Sequence, residues 1–270
     1  MPIIDAYKMD GLGNDFLIID RRANIINLKK EKIIELGSRN KVGFDQLIFI
    51  EKEIDDISPI SIFNSDGDEI SACGNGSRCV AYLLGKEKGI KNITLKTNER
   101  FLKAEIVKDC YVKIDMGKPI FEWNKIPLIR NLDHKNINID LGNYKFEDGF
   151  CLNVGNPHVV FFVENCFKFD LKEIGPKIEN YEIFPEKCNV TFAQVNDKNN
   201  IDVNVWERGA GLTKACGTAA CATVVASNLK GLSNNKVNIN FKEGLLNLEF
   251  NKNIFMTGPV SKIKKINIEI

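Results

Sequence analysis

The sequence predicts an α+β fold of two pseudo-symmetric domains, each a curled mixed/antiparallel sheet wrapped round a central apolar helix. Three observations lead there. First, Ala72-Cys73-Gly74-Asn75-Gly76 recurs as Ala215-Cys216-Gly217-Thr218-Ala219. Gln46 to Asn189, and Ile60-Ser61-Ile62-Phe63-Asn64 to Val203-Asn204-Val205-Trp206-Glu207, keep the same displacement, and Gly13-Asn14 to Gly155-Asn156 is shorter by one position. Landmarks that recur at one spacing along a chain mark a duplicated unit. Second, each half is dominated by short runs of β-branched and aromatic residues bounded by turn residues. Third, each half holds one stretch that is apolar round most of its helical circumference, as a helix buried on all sides must be.

In the first half, Ile3 to Met9 and Phe16 to Asp20 read as strands, followed by a charged helix near Glu31 to Ser38 and strands at Gln46 to Glu51 and Ser58 to Asn64. The central helix is predicted from Asn75 to Lys88, with Val80, Ala81, Tyr82, Leu83 and Leu84 leaving little polar face and Gly89 as its stop. Strands resume at Ile93 to Thr97, Phe101 to Val107 and Tyr111 to Met116. The second half repeats the order: strands at His158 to Val163, Val190 to Gln194 and Asp202 to Trp206, then a helix from Thr218 to Leu229 that Gly231 ends. Strands follow at Val237 to Phe241, Leu245 to Phe250 and Ile254 to Thr257. An extra helix is expected near Leu171 to Tyr181, which Pro176 should begin or interrupt.

A chain of 270 residues is ample for two domains, each with its own core. With 37 basic and 36 acidic residues the net charge is only +1, and no basic stripe carries interleaved aromatics, so nucleic acid is not an expected partner. No apolar run is long enough to span a bilayer and the N-terminus reads as having no leader, which leads us to expect a soluble, cytoplasmic protein. The eight cysteines are expected to be free thiols, since the chain is too long and too apolar to need a disulfide framework. Their spacings fit no common zinc motif and only two histidines are present, so no metal is expected.

Cys73 and Cys216 each stand just before a predicted buried helix. The orphan N–H groups of the first turn and the positive end of the helix dipole favour thiolate over thiol there. The same N–H groups, in Gly74-Asn75 and Gly217-Thr218, form an anion site that glycine lets the backbone approach closely. If the anion is a carboxylate, its α-carbon lies between the two sulfurs. One thiol then removes the α-proton from one face while the other protonates the opposite face, and the stereocentre inverts. Such a pair needs similar groups in opposite protonation states, with no cofactor demanded. Cys79 and Cys221 fall inside the apolar helices and read as packing residues, as do Cys110, Cys151, Cys166 and Cys188 in the core or at the surface.

Gly11-Leu12-Gly13-Asn14-Asp15-Phe16, Ala72-Cys73-Gly74-Asn75-Gly76-Ser77-Arg78-Cys79, Gly155-Asn156-Pro157-His158 and Glu207-Arg208-Gly209-Ala210-Gly211 leading to Ala215-Cys216-Gly217-Thr218 occur in one order from Asp10 to Pro259. In these motifs the chain resembles the diaminopimelate epimerases, enzymes of lysine and peptidoglycan precursor synthesis that interconvert LL- and meso-diaminopimelate without pyridoxal phosphate. The resemblance implies that Cys73 and Cys216 are the catalytic acid and base, and that His158 and Glu207 tune the two thiols. It also implies that Asn14, Gln46, Asn64, Asn156, Asn189, Glu207 and Arg208 contact substrate, while Gly74, Asn75, Gly217 and Thr218 bind the reacting carboxylate. A set of amides with one guanidinium suits a ligand with two amino acid ends. The family precedent returns the last strand to the first domain, giving domains of residues 1–117 with 260–270, and 118–259.

Two departures stand out. Leu212 replaces the acidic residue that many relatives carry, and the stretch from Val260 to Ile266 lacks the tyrosine that some use at a dimer contact, which leaves a homodimer open. Other racemases of this fold, of proline or histidine type, are the nearest alternatives, although Asn75 stands where proline racemases have histidine. A module that uses the two cysteines as a redox pair is the alternative from another class. His134, outside every motif, is expected on a surface loop.

Overall fold

The computed structural model describes residues 2–70, 73–98 and 100–270. Ala72 of the first cysteine motif lies outside the described residues. Contacts divide the chain into two compact units, Met1–Asp115 with Thr257–Ile270, and Met116–Met256.

The first unit contains β1 (Ile3–Gly11), β2 (Asn14–Asp20), α1 (Lys30–Gly37), β3 (Gln46–Ile50), β4 (Ile57–Asn64), β5 (Glu69–Ile70), α2 (Gly74–Lys88), β6 (Asn92–Lys96), β7 (Phe101–Lys108) and β8 (Tyr111–Asp115). The second contains β9 (Ile137–Asp140), β10 (Lys145–Asn153), β11 (Pro157–Phe162), α3 (Leu171–Glu179), β12 (Asn189–Asp197), β13 (Asn200–Glu207), β14 (Gly211–Leu212), α4 (Gly217–Leu229), β15 (Lys236–Phe241) and β16 (Gly244–Phe250). β17 (Ile254–Pro259) then carries the chain back into the first unit, which β18 (Lys264–Glu269) completes.

The two units share one strand-pairing rule. In the first, β1 pairs antiparallel with both β18 and β2, β2 parallel with β3, β3 antiparallel with β4, β4 parallel with β6, and β6 antiparallel with β7. In the second, β10 pairs antiparallel with both β9 and β11, β11 parallel with β12, β12 antiparallel with β13, β13 parallel with β15, and β15 antiparallel with β16. The sheet in each is therefore mixed, as expected. Helix α2 packs on β1, β2 and β3 at one end of its ladder and on β6, β7 and β8 at the other, and α4 packs likewise on β10, β11, β12, β15 and β16. A sheet that touches one helix with both its ends is curled round it.

Burial explains why these segments read as they do. Every residue of α2 from Gly74 to Gly85 is buried, and α4 is buried from Ala219 to Ser227. Gly89 adopts a left-handed φ of 68° and its N–H closes on the Gly85 carbonyl, ending α2 as the sequence indicates. The strands beside α1 are apolar on both faces because both are covered. Leu17, Ile19, Leu47 and Phe49 join Ile33 and Leu36 of α1, while Phe16 and Ile48 reach Gly76 of α2. In the second unit Val159, Phe161, Val190 and Phe192 meet Leu171, Ile174 and Ile178 of α3 in the same way.

Three sequence expectations differ from the structure. Pro176 neither begins nor breaks α3 but lies inside it, because burial of Leu171, Ile174 and Ile178 holds the helix through the missing N–H. His134 is half-buried, its ring stacked on Phe121 with centroids 5.3 Å apart and edge-on to Phe150 at 5.4 Å. β9, and β10 with its charged Lys145, Glu147 and Asp148, were not expected as strands. Among the described residues no helix is long and apolar enough to cross a membrane, and all eight cysteines are free thiols.

Candidate active site

Cys73 and Cys216 occupy the same backbone position in their units. Each is the N-cap of its central helix, with φ, ψ of −142°, 107° for Cys73 and −131°, 113° for Cys216. In an N-cap the side chain faces the free N–H groups of the first turn. Gly76 N–H donates to the Cys73 sulfur over 3.4 Å, whereas the Cys216 sulfur lies 3.3 Å from the Thr218 hydroxyl. Gly74, Asn75, Gly217 and Thr218 are the first two helical residues in each case.

In the first unit the surroundings of the thiol are neutral amides. Asn14 and Gln46 present their side-chain oxygens to the Cys73 sulfur at 3.7 and 3.8 Å. Asn14 donates to Gln46 over 3.1 Å, and Gln46 to Asn64 over 3.3 Å, its antiparallel partner across β3 and β4. The chain turn that presents Asn14 is tight: Leu12 and Gly13 both have positive φ, 60° and 77°, between Gly11 and Asn14 of the β1–β2 hairpin. Asp45 locks that turn by accepting from the Asn14 amide over 2.8 Å and from Asp15 N–H over 3.0 Å. Burial would raise the Asp15 carboxyl, but its ion pairs with Lys8 and Arg39 outweigh that and hold it below its ordinary range. The amide oxygen of Asn75 is buried without a protein partner.

The second unit places charge where the first has amides. Cys216 is only 4% exposed, and burial, followed by the adjacent Glu207 carboxylate that accepts its hydrogen bond, pushes the thiol well above its ordinary pKa. Glu207 stands at the repeat position of Asn64. Asn189 at the start of β12 stands at that of Gln46; its amide donates to the Pro157 carbonyl over 2.7 Å and accepts from Arg208 N–H over 3.0 Å. The Arg208 guanidinium donates to the Glu186 carbonyl over 3.1 Å. His158 is fully buried and pairs through Nε2 with the Asn156 amide oxygen at 2.8 Å. That oxygen can only accept, so Nε2 carries the proton and Nδ1 keeps its lone pair, buried without a partner.

Burial, helped by the Arg208 charge, depresses the His158 pKa to about 3. The imidazole is neutral in the folded protein. Because the unfolded chain takes up this proton near 6.5, the stability His158 contributes is complete above about pH 6.5 and is lost as pH falls toward about 3. Urea unfolding between about pH 7 and pH 5 should therefore show a steeper loss in the wild type than in His158→Gln, which keeps a donor toward Asn156 but does not titrate.

The structure thus gathers Cys73, Asn14, Gln46 and Asn64 in one unit, and Cys216, Glu207 and Thr218 in the other, with His158 and Asn156 as a pair and Asn189 and Arg208 as another. Sequence reading missed Asp45, and it missed Glu179, which accepts hydrogen bonds from Trp206 and Gly209 on either side of Glu207 and Arg208. Neither residue stands in a motif. Among the described residues no group of three His, Cys, Asp or Glu is placed to hold a metal ion.

The profile of diaminopimelate epimerase matches residues 6–122 and 150–263. The chain is 51% identical to the diaminopimelate epimerase of Pelagibacter ubique (strain HTCC1062), covering 99% of both chains, and 42% identical to that of Wolbachia sp. subsp. Drosophila simulans (strain wRi), covering 94% of this chain and 95% of that one. Among solved structures it is similar in fold to a hydroxyproline epimerase from Agrobacterium vitis, with a TM-score of 0.72 at 10% identity over 98% of this chain and 92% of that one. It is also similar to a phenazine biosynthesis protein from Enterococcus faecalis, with a TM-score of 0.70 at 14% identity over the whole of both chains. With the profile covering most of its length and relatives aligned along nearly all of it, the chain belongs to the diaminopimelate epimerase family.

Proposed function

We propose that this protein interconverts LL- and meso-2,6-diaminopimelate, with Cys73 and Cys216 as the acid and base that act on opposite faces of one α-carbon. The observation that carries the reading is the identical N-cap placement of the two thiols at the starts of two pseudo-symmetric buried helices. A thiolate takes the α-proton, the electron pair passes into the carboxylate as an enediolate, and the second thiol protonates the other face. Each turnover leaves the proton on the opposite sulfur, so the next turnover in the same direction requires both to exchange with water. N–H groups of Gly74-Asn75 and Gly217-Thr218 stabilise the charge that develops on the carboxylate. The unpartnered Asn75 amide oxygen supports a polar ligand at the first of these turns.

The two thiols stand in different surroundings. Burial and Glu207 hold Cys216 as the thiol, whereas Cys73 donates to the Asn14 and Gln46 amide oxygens and receives a helix N–H at its sulfur. His158 acts on the site by fixing Asn156. Asn14, Gln46, Asn64, Asn156, Asn189 and Arg208 hold the substrate, the guanidinium gripping the distal carboxylate. No cofactor enters this scheme. The test is incubation of LL-diaminopimelate with reduced protein in deuterated water: deuterium should enter at the inverted α-carbon of the meso product. Proline or histidine labelled in place of diaminopimelate would overturn the substrate assignment, and no label in any of the three would overturn the reaction.

A further inference from the structure

We infer that Glu179 is a positioning residue for the reaction, a carboxylate that fixes Glu207 and Arg208 by clamping the chain on both sides of them. The turn between β13 and β14 runs through Glu207, Arg208, Gly209 and Ala210, with Ala210 N–H closing on the Glu207 carbonyl over 3.1 Å. One oxygen of Glu179 accepts from the Trp206 indole N–H over 2.7 Å, and the other accepts from Gly209 N–H over 3.0 Å. The residues between those two bonds are the one that contacts Cys216 and the one assigned to the distal carboxylate. A further bond, Arg208 N–H to Asn189, fixes the middle of the turn. Gly175 in α3 lies so close beneath the Trp206 ring that an added Cβ would sit 2.5 Å from it, which seats the indole on the helix that bears Glu179.

The placement is unfavourable on general grounds, and that argues for a role. Glu179 is the last residue of α3 and is 5% exposed. A carboxylate there faces the negative end of the helix dipole and gives up most of its hydration. Two strong charge-assisted hydrogen bonds offset this. At the matching place in the first unit, α1 ends in Gly37, packed against Ser65, beside a neutral Asn64 rather than a charged Glu207. The buried carboxylate at this helix end accompanies the unit whose repeat position carries charge that must be aimed.

This inference rests on the reading of Glu207 as the partner of Cys216. Besides burial, the groups that bear on that thiol's titration are Glu207 on the turn, which raises its pKa, and the Thr218 hydroxyl and Ala219 N–H of α4, which lower it. In Glu179→Gln one of the two donors loses its acceptor and the turn is released. We expect kcat to fall roughly 10- to 100-fold with the thermal midpoint little changed. The pH profile of iodoacetamide labelling at Cys216, resolved by peptide mass spectrometry, should move to lower pH, because Glu207 no longer holds the thiol proton. The Cys73 profile should overlay the wild type. Trp206→Phe, which keeps the ring on Gly175 and removes a single donor, should move the same quantities in the same direction by less, and serves if the first variant does not fold. Wild-type kcat and an unmoved Cys216 profile in a folded variant would overturn the inference. A wild-type protein that does not epimerise diaminopimelate, yet whose Cys216 profile still moves in Glu179→Gln, would overturn the proposed function and leave the clamp standing.

Discussion

Cys73→Ala and Cys216→Ala are each expected to lower the epimerisation rate by roughly 10²- to 10⁴-fold while the protein stays folded. The kinetic loss is large because neither alanine can carry a proton, and the remaining thiol serves only one face of the carbon. The structural loss is small. Cys73 is only partly buried, Cys216 is a small side chain, and truncating either should cost on the order of 1 kcal/mol. The backbone slot survives, since the N-cap torsions of both residues are ordinary extended values that alanine adopts freely. Assays of inversion in deuterated water beside circular dichroism and urea unfolding separate the two outcomes. A Cys216→Ala protein that still returned label to the original face without inverting it would support the scheme. Inversion at the wild-type rate in either variant would end it.

Glu207→Gln should produce the next largest effect, visible as a displaced limb of the pH profile. Where Cys216 donates the proton, activity requires its thiol form and falls as pH rises through its pKa. Burial and the Glu207 carboxylate both raise that pKa. Glutamine removes the charge and leaves the burial, so the thiol becomes more acidic and the alkaline limb moves to lower pH. The acidic limb, set by the other thiol, should stay in place, and the bell narrows from one side. An alkaline limb that stayed put in the variant would show that Glu207 does not govern the thiol.

The fold was readable in sequence where local pattern and tertiary role coincide. Val80 to Leu84 and Ala219 to Ala226 leave no polar face, and a helix of that kind can only be the centre of something. Phe16 to Ile19 and Leu47 to Ile50 read as strands because both their faces are covered. The pattern failed where pairing alone makes the strand. Lys145-Phe146-Glu147-Asp148-Gly149 shows little alternation, but β9 lies alongside it and Phe146 is drawn into the aromatic cluster with Phe161 and Phe192. Within the site, the cysteine motifs were visible because a helix start is a local event. Asp45 and Glu179 were not, since their meaning comes from a turn and an indole many positions away.

The pairing of β1 with β18, Ile3 opposite Glu269, has a consequence for how the polypeptide matures on the ribosome. The Met116–Met256 unit is one unbroken stretch, so it can close as soon as it has cleared the exit tunnel. The portion synthesised earliest has to wait: its outermost strand is translated last, and until then β1 offers an uncovered edge to any neighbour. Synthesis order and completion order are therefore reversed, and nascent chains halted before residue 264 should be captured by chaperones through the segment that was made first.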